Sequence, residues 1–153
     1  MKLYLETTVP NMLFAEDAPD KRRATEAFFR WLRITSDELY ASRLVKDELD
    51  AAPDPKRNRM LQALADLHVV MLEVPLEAAG LAEHYVREKV LPAQYRNDAL
   101  HVATAVCHRL VVVVSWNMKH LVNVRRVQRI NEVNTRYGWP QIRIHTPEEV
   151  LDL

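Results

Sequence analysis

Glycine is nearly missing from this chain: its 153 residues hold two, Gly80 and Gly138, far apart. Loops of the GxGxxG and P-loop kinds need clustered glycines so that backbone amides can close on a phosphate, and nucleotide binding of that type is excluded. One cysteine, Cys107, excludes an internal disulfide and a cysteine-rich zinc site. It falls on the apolar face of a predicted helix and reads as a small buried hydrophobe. Neither sign of charge is in excess, since 21 Lys and Arg balance 21 Asp and Glu. Contact with a polyanion must therefore rest on a local patch rather than on a globally basic surface. No apolar run nears the ~20 residues that a membrane span requires. Glu6 arrives too early for a secretory leader, so the expectation is a cytoplasmic protein with no membrane partner.

What is present is globular material. Hydrophobic residues make up 48% and charged residues 27%, a balance that excludes disordered and fibrous classes. The length suits one domain, residues 1–153, with room for a sizeable core. Lys2 to Glu6 is a β-prone first strand, and Pro10 suits the first turn of a short helix to about Ala15. Glu16 to Asp20 is a polar linker. Ala24, Ala27, Phe28, Trp31 and Leu32 recur at helical spacing within 21–35. Leu39 to Ala41 is a strand, and Ser42 caps a helix holding Leu44, Val45, Glu48 and Leu49. Pro53-Asp54-Pro55 separates it from a helix over 56–67. His68 to Val74 is a third strand, and Pro75 opens a helix to about Val90.

The segment from Arg96 to Asn117 organises the rest. Arg96 to Leu110 reads as a helix with Asp98 in its first turn, and Val111 to Ser115 as a strand buried on both faces. A basic helix follows over 118–136, closed by Gly138 as a cap. Gln141 to His145 is a last strand, and Pro147 opens a terminal helical turn. Strands alternating with helices argue for an α/β fold with a mostly parallel sheet and helices on both faces. Ligands in such sheets sit outside the carboxyl ends of the strands.

That rule places Glu6 and Asn117 at strand exits, with Asp98 and Glu48 on neighbouring helices. Three carboxylates within ~6 Å repel one another unless a cation neutralises them. Mg²⁺ or Mn²⁺ binds through a few carboxylates plus waters and activates water against a phosphate. Each residue also has a structural reading. Glu48 lies in the charge run Lys46-Asp47-Glu48-Leu49-Asp50, Asp98 complements a helix dipole, and Asn117 suits a turn or cap. Glu6 is harder to explain that way, because a carboxylate ending an apolar strand needs a partner. Spacing alone leaves both readings standing. His101, one helical turn from Asp98, reads as a histidine hydrogen-bonded beneath the site.

The basic helix sets Lys119, Arg125, Arg126, Arg129 and Arg136 against Glu132 alone, with His120 near its start. These cations and Lys21-Arg22-Arg23 suit a nucleic-acid backbone or, equally, a solvated face. Trp116 and Trp139 suit base stacking or core packing.

Lys2-Leu3-Tyr4-Leu5-Glu6-Thr7-Thr8-Val9 resembles the opening strand of PIN-domain proteins. Asn97-Asp98-Ala99-Leu100-His101-Val102-Ala103-Thr104-Ala105 resembles their central acidic helix. Val111 to Asn117, then Met118-Lys119-His120-Leu121-Val122-Asn123, is similar to a strand, Trp-Asn, Lys-His signature of one branch, and Thr146 to Leu151 resembles its closing segment. The resemblance spans the whole chain in order. It implies a three-layer α/β/α PIN-like fold and a Mg²⁺- or Mn²⁺-dependent endoribonuclease acting on RNA. The best-known bacterial branch, the VapC-type toxins, commonly forms homodimers and is held inactive by an antitoxin protein. The family's metal and catalytic positions fall on Glu6, Glu48, Asp98 and Asn117. Thr7 and Thr8 match positions that orient the first carboxylate or bind substrate phosphate, and Lys119 and His120 are taken, with them, as substrate-binding candidates. Two departures exist: Glu6 and Asn117 stand where the family usually has Asp. They admit an alternative, a catalytically degenerate module that binds RNA or a protein without cutting. A metal-dependent phosphatase shares the same carboxylate logic.

Overall fold

A computed structural model describes residues 1–153. Five parallel strands form the middle layer: β1 (Lys2–Leu5), β2 (Glu38–Ser42), β3 (Val70–Leu72), β4 (Val112–Val114) and β5 (Arg143–His145), in the order β3-β2-β1-β4-β5. Eight helices join and flank them: α1 (Thr8–Met12), α2 (Pro19–Leu32), α3 (Arg43–Asp50), α4 (Lys56–Asp66), α5 (Leu76–Arg87), α6 (Arg96–Cys107), α7 (Val124–Arg136) and α8 (Pro147–Leu151). They pack in two groups. α5 joins α6 and α7, while α1 and α2 meet α4 and α8, with α3 beside α4.

Hydrophobicity assigns the centre of the sheet. Leu3, Tyr4 and Leu5 of β1 and Val112, Val113 and Val114 of β4 are all fully buried, as continuous apolar runs in a parallel sheet must be. Their register sets Leu3 opposite Val112, Tyr4 opposite Val113 and Leu5 opposite Val114. The chain runs outward from β1 through β2 to β3, then crosses back to β4 and β5. The strand order therefore reverses between β1 and β4, and a crevice opens beyond their carboxyl ends, where ligands bind in such sheets.

Several boundaries differ from the sequence expectation, each for a local reason. The basic helix starts at Val124, not Met118: Asn123 is extended and its side chain accepts from the Arg126 amide, fixing the cap there. Lys119 and His120 consequently occupy a turn. The central helix stops at Cys107, and the 75–90 helix at Arg87. His68, Lys89 and Arg109, with φ of 55°, 59° and 59°, follow the ends of α4, α5 and α6. They take the left-handed position that glycine usually fills after a helix. The third strand shrinks from 68–74 to Val70–Leu72, an edge strand with Val70 and Met71 exposed. α2 begins at Pro19, inside the expected linker, because proline suits the first helical turn. α8 carries a capping box between Thr146 and Glu149.

Candidate active site

β1 delivers Glu6 into the crevice. Its amide donates to the Val114 carbonyl at 3.0 Å, extending the ladder one residue beyond the strand. The register thereby aligns Glu6 with Ser115, the residue that leaves β4. Glu6 is 3% exposed, and an ionised carboxylate at that depth requires donors. Two hydroxyls supply them: Ser115 at 2.7 Å and Thr8 at 2.5 Å, both to Oε1. Oε2 takes no hydrogen bond from the protein.

Thr8 does a second job. Its hydroxyl oxygen accepts the Trp116 amide at 2.8 Å, and Ser115 Oγ accepts the Asn117 amide at 2.9 Å. The turn after β4 is thus knitted to the first carboxylate. Removing the Thr8 hydroxyl by Thr8→Val strands the Trp116 amide and halves the donors to Glu6. The expected cost is about 1–3 kcal/mol, read as a shift in a urea melt, while Thr8→Ser keeps most of the stability.

Asp98 enters from the first turn of α6, where a negative charge also suits the helix dipole. Burial pushes its carboxyl above the ordinary carboxylate range, and the charge of Glu6 pushes it the same way. Glu6 and Asp98 therefore lie within reach of each other's charge. Asn117 Nδ2 donates to Asp98 Oδ2 at 3.2 Å, and Asn117 Oδ1 accepts the His120 amide at 3.0 Å. Flipping that amide would set acceptor against acceptor and donor against donor, so its orientation is fixed. Asn117 positions the second carboxylate, the work of a hydrogen-bond donor.

Glu48 is held apart from this pair. The sequence expectation was three carboxylates gathered at one rim, yet no three His, Cys, Asp or Glu side chains lie together in a way that could hold a metal ion. The reason is His101, whose Nε2 meets Glu48 Oε1 at 2.5 Å. A hydrogen bond to a buried imidazole takes up the charge that would otherwise turn toward the other acids.

The remaining candidates fall at the edges. Thr7 Oγ1 is buried with no hydrogen-bond partner. The ring of His120 stacks on Tyr95 at 3.8 Å, and burial, followed by the charge of Arg126, lowers its pKa. Lys119 is exposed. Trp116 is buried, with its indole N–H on Thr25 at 2.9 Å and Lys21 Nζ 5.7 Å from its ring centre. Packing, not base stacking, is its work. Arg23 pairs with Asp20 and Arg22 with Glu26, so that cation run is spent within α2. Ser115 and Tyr4 are not foreseen as partners of these groups, whereas Ser42 is the expected helix cap and in addition meets the Tyr4 hydroxyl. Of the first two, Ser115 alone left a signal, because two strands that pair in register set their exit residues side by side.

The chemistry of the donor set fits a hard divalent ion at the pair. Mg²⁺ needs only one or two carboxylates with waters, and here Glu6, with one oxygen free of protein donors, and Asp98 lie close enough for their charges to interact.

No protein-family model matches the sequence, and no curated protein matches it. Among solved structures, the chain is similar to one from the VapBC2 complex of Rickettsia felis bound to a DNA fragment from its promoter. The TM-score is 0.58 at 12% identity, over 95% of this chain and 98% of that one. A likeness at that identity speaks for architecture: an α/β fold with a five-stranded all-parallel sheet flanked by helices, consistent with a PIN-like fold.

Proposed function

We propose that this protein is a divalent-metal-dependent endoribonuclease, the toxin component of a toxin–antitoxin pair. The observation that carries the reading is the Glu6–Asp98 pair at the switch point of a parallel sheet, each carboxylate fixed by donors from the turn after β4. Glu6 and Asp98 would hold the ion, while Glu48 stays on His101. A bound Mg²⁺ or Mn²⁺ supplies charge neutralisation and a nucleophilic water for phosphodiester hydrolysis. The chain's own residues keep the carboxylates apart and oriented: Thr8 and Ser115 hold Glu6, and Asn117 holds Asp98. Thr7, Lys119 and His120 would be the contacts for a substrate phosphate. The similar solved chain belongs to a complex with a partner protein, which supports an antitoxin partner and an oligomer here, with homodimerisation as the expected form.

The test is incubation with single-stranded RNA, DNA and a phosphomonoester, each with Mn²⁺ and with chelator. The expected result is cleavage of RNA alone, abolished by chelator. Phosphomonoester turnover without RNA cleavage would move the reading to a phosphatase.

One observation favours a second reading, a module that binds RNA or a protein without cutting: Glu48 is committed to His101 and Asn117 carries no charge. RNA retention on a filter with no cleavage at millimolar Mn²⁺ selects it.

A further inference from the structure

Helix α7 uses its cations unequally. Arg136 pairs with Glu88, and Arg129 Nη2 donates to the Glu88 carbonyl at 3.1 Å, so both are engaged at the end of α5. Arg126 is placed differently. It lies one turn before Ile130, on the face of α7 that buries Ile130, Val133 and Asn134, and is itself half-buried. Its guanidinium forms no ion pair, and Nη1 is enclosed without a hydrogen-bond partner. A charged N–H withdrawn from water is costly until an acceptor meets it.

A second orphaned atom belongs to the same neighbourhood. His120 Nδ1 is also enclosed with no partner. The ring is held in place: it stacks on Tyr95 with centres 3.8 Å apart, and its amide donates to Asn117 Oδ1 at 3.0 Å. The imidazole lies within reach of the charges of Arg126, Asp98 and Lys119. Asn117, which fixes the His120 amide, also donates to Asp98. A single side chain thus links this corner to the acid pair.

A guanidinium with a free N–H and a neighbouring imidazole suit an oxyanion, which accepts from both. A neutral imidazole presents one N–H, and an anion at Nδ1 selects the tautomer that carries it there. We infer that Arg126 and His120 form a subsite for a backbone phosphate of the RNA strand, beside the linkage held at Glu6 and Asp98. Tyr95, directly before α6, is the aromatic wall that keeps the imidazole in position. The inference rests on the RNA reading proposed above and adds Arg126 to it. An acidic side chain of a protein partner would match the same donors, and the experiment separates the two.

Fluorescence anisotropy of the full chain with a short single-stranded RNA, in chelator so that nothing is cut, tests it. Arg126→Gln is expected to weaken binding about 10-fold, the worth of a hydrogen bond to a charged group. It should also flatten the slope of log affinity against log salt by about 0.7, the share of one phosphate on a single strand. His120→Phe keeps the stack on Tyr95, removes Nδ1 and weakens binding by a smaller factor. The double variant loses less than the two losses combined, because both groups hold one phosphate. Arg33→Gln removes an exposed cation beside Glu38 and Val70, where β2 and β3 begin, and leaves the slope unchanged. If wild type binds no RNA, the RNA reading and this inference fall together. If wild type binds and Arg126→Gln keeps both affinity and slope, the subsite fails while the ribonuclease reading stands, and an acidic protein partner becomes the occupant to seek. Binding that depends on Arg126, with no cleavage in Mn²⁺, removes the ribonuclease reading and keeps the subsite. Should Arg126→Gln not fold, His120→Phe decides, and an affinity equal to wild type overturns the inference.

Discussion

Asp98→Asn is expected to give a protein that melts higher in the absence of metal and no longer binds Mn²⁺. Cleavage should fall by more than about 100-fold, beyond the loss caused by removing a ligand's partner. Both effects come from one repulsion. Burial and the charge of Glu6 raise the Asp98 pKa in the folded state, so ionising Asp98 opposes folding. That penalty is fully present above the raised folded pKa. It fades as pH falls through the window down to the ordinary carboxylate value, where the unfolded chain also takes up its proton. The thermal advantage of Asp98→Asn should therefore be largest at neutral pH and vanish below about pH 4. An amide still accepts from Asn117, so the hydrogen bond is not the variable. Melting curves from pH 4 to 8 read the first effect, and titration with Mn²⁺ reads the second. Equal melting temperatures across that range would remove the repulsion on which the site is argued.

Leu5→Ala should be the most damaging single truncation near the site. Leu5 is fully buried in β1, pairs with Val114 and precedes Glu6. Losing three carbons in a packed interior costs about 2–5 kcal/mol, a third or so of a typical domain's stability. At this chain length the melting temperature should fall on the order of 10 °C. A shift of under ~2 °C would mean that the sheet centre repacks freely.

The centre of the fold was readable because burial writes itself locally. The valines at 112–114 form the interior parallel strand that the apolar run announces, although Val111 lies outside it and is exposed, and Glu6 stood out against the apolar run before it. Helix ends were less readable, since in a glycine-poor chain His68, Lys89 and Arg109 take the left-handed positions and give no punctuation. The site was legible as a set of acids but not as an arrangement. Asp98 and Asn117 meet through a hydrogen bond spanning 19 residues, close to what a helix followed by a strand dictates. Glu48 and His101 are 53 apart, and nothing in Lys46-Asp47-Glu48-Leu49-Asp50 announces a buried imidazole as its partner. A charge run looks the same whether water or a histidine receives it.

The position of β1 at the middle of the sheet has a consequence for synthesis. β1 leaves the ribosome before the other four strands, yet one of its two edges stays bare until Val112–Val114 emerge. Ser115, which secures Glu6, follows directly, 109 residues after it. Contacts of such long range form late. A nascent chain stopped anywhere before that point has its first carboxylate and Thr8, but neither Ser115 nor the turn after β4 that completes its setting, so the site forms only after β4 has emerged.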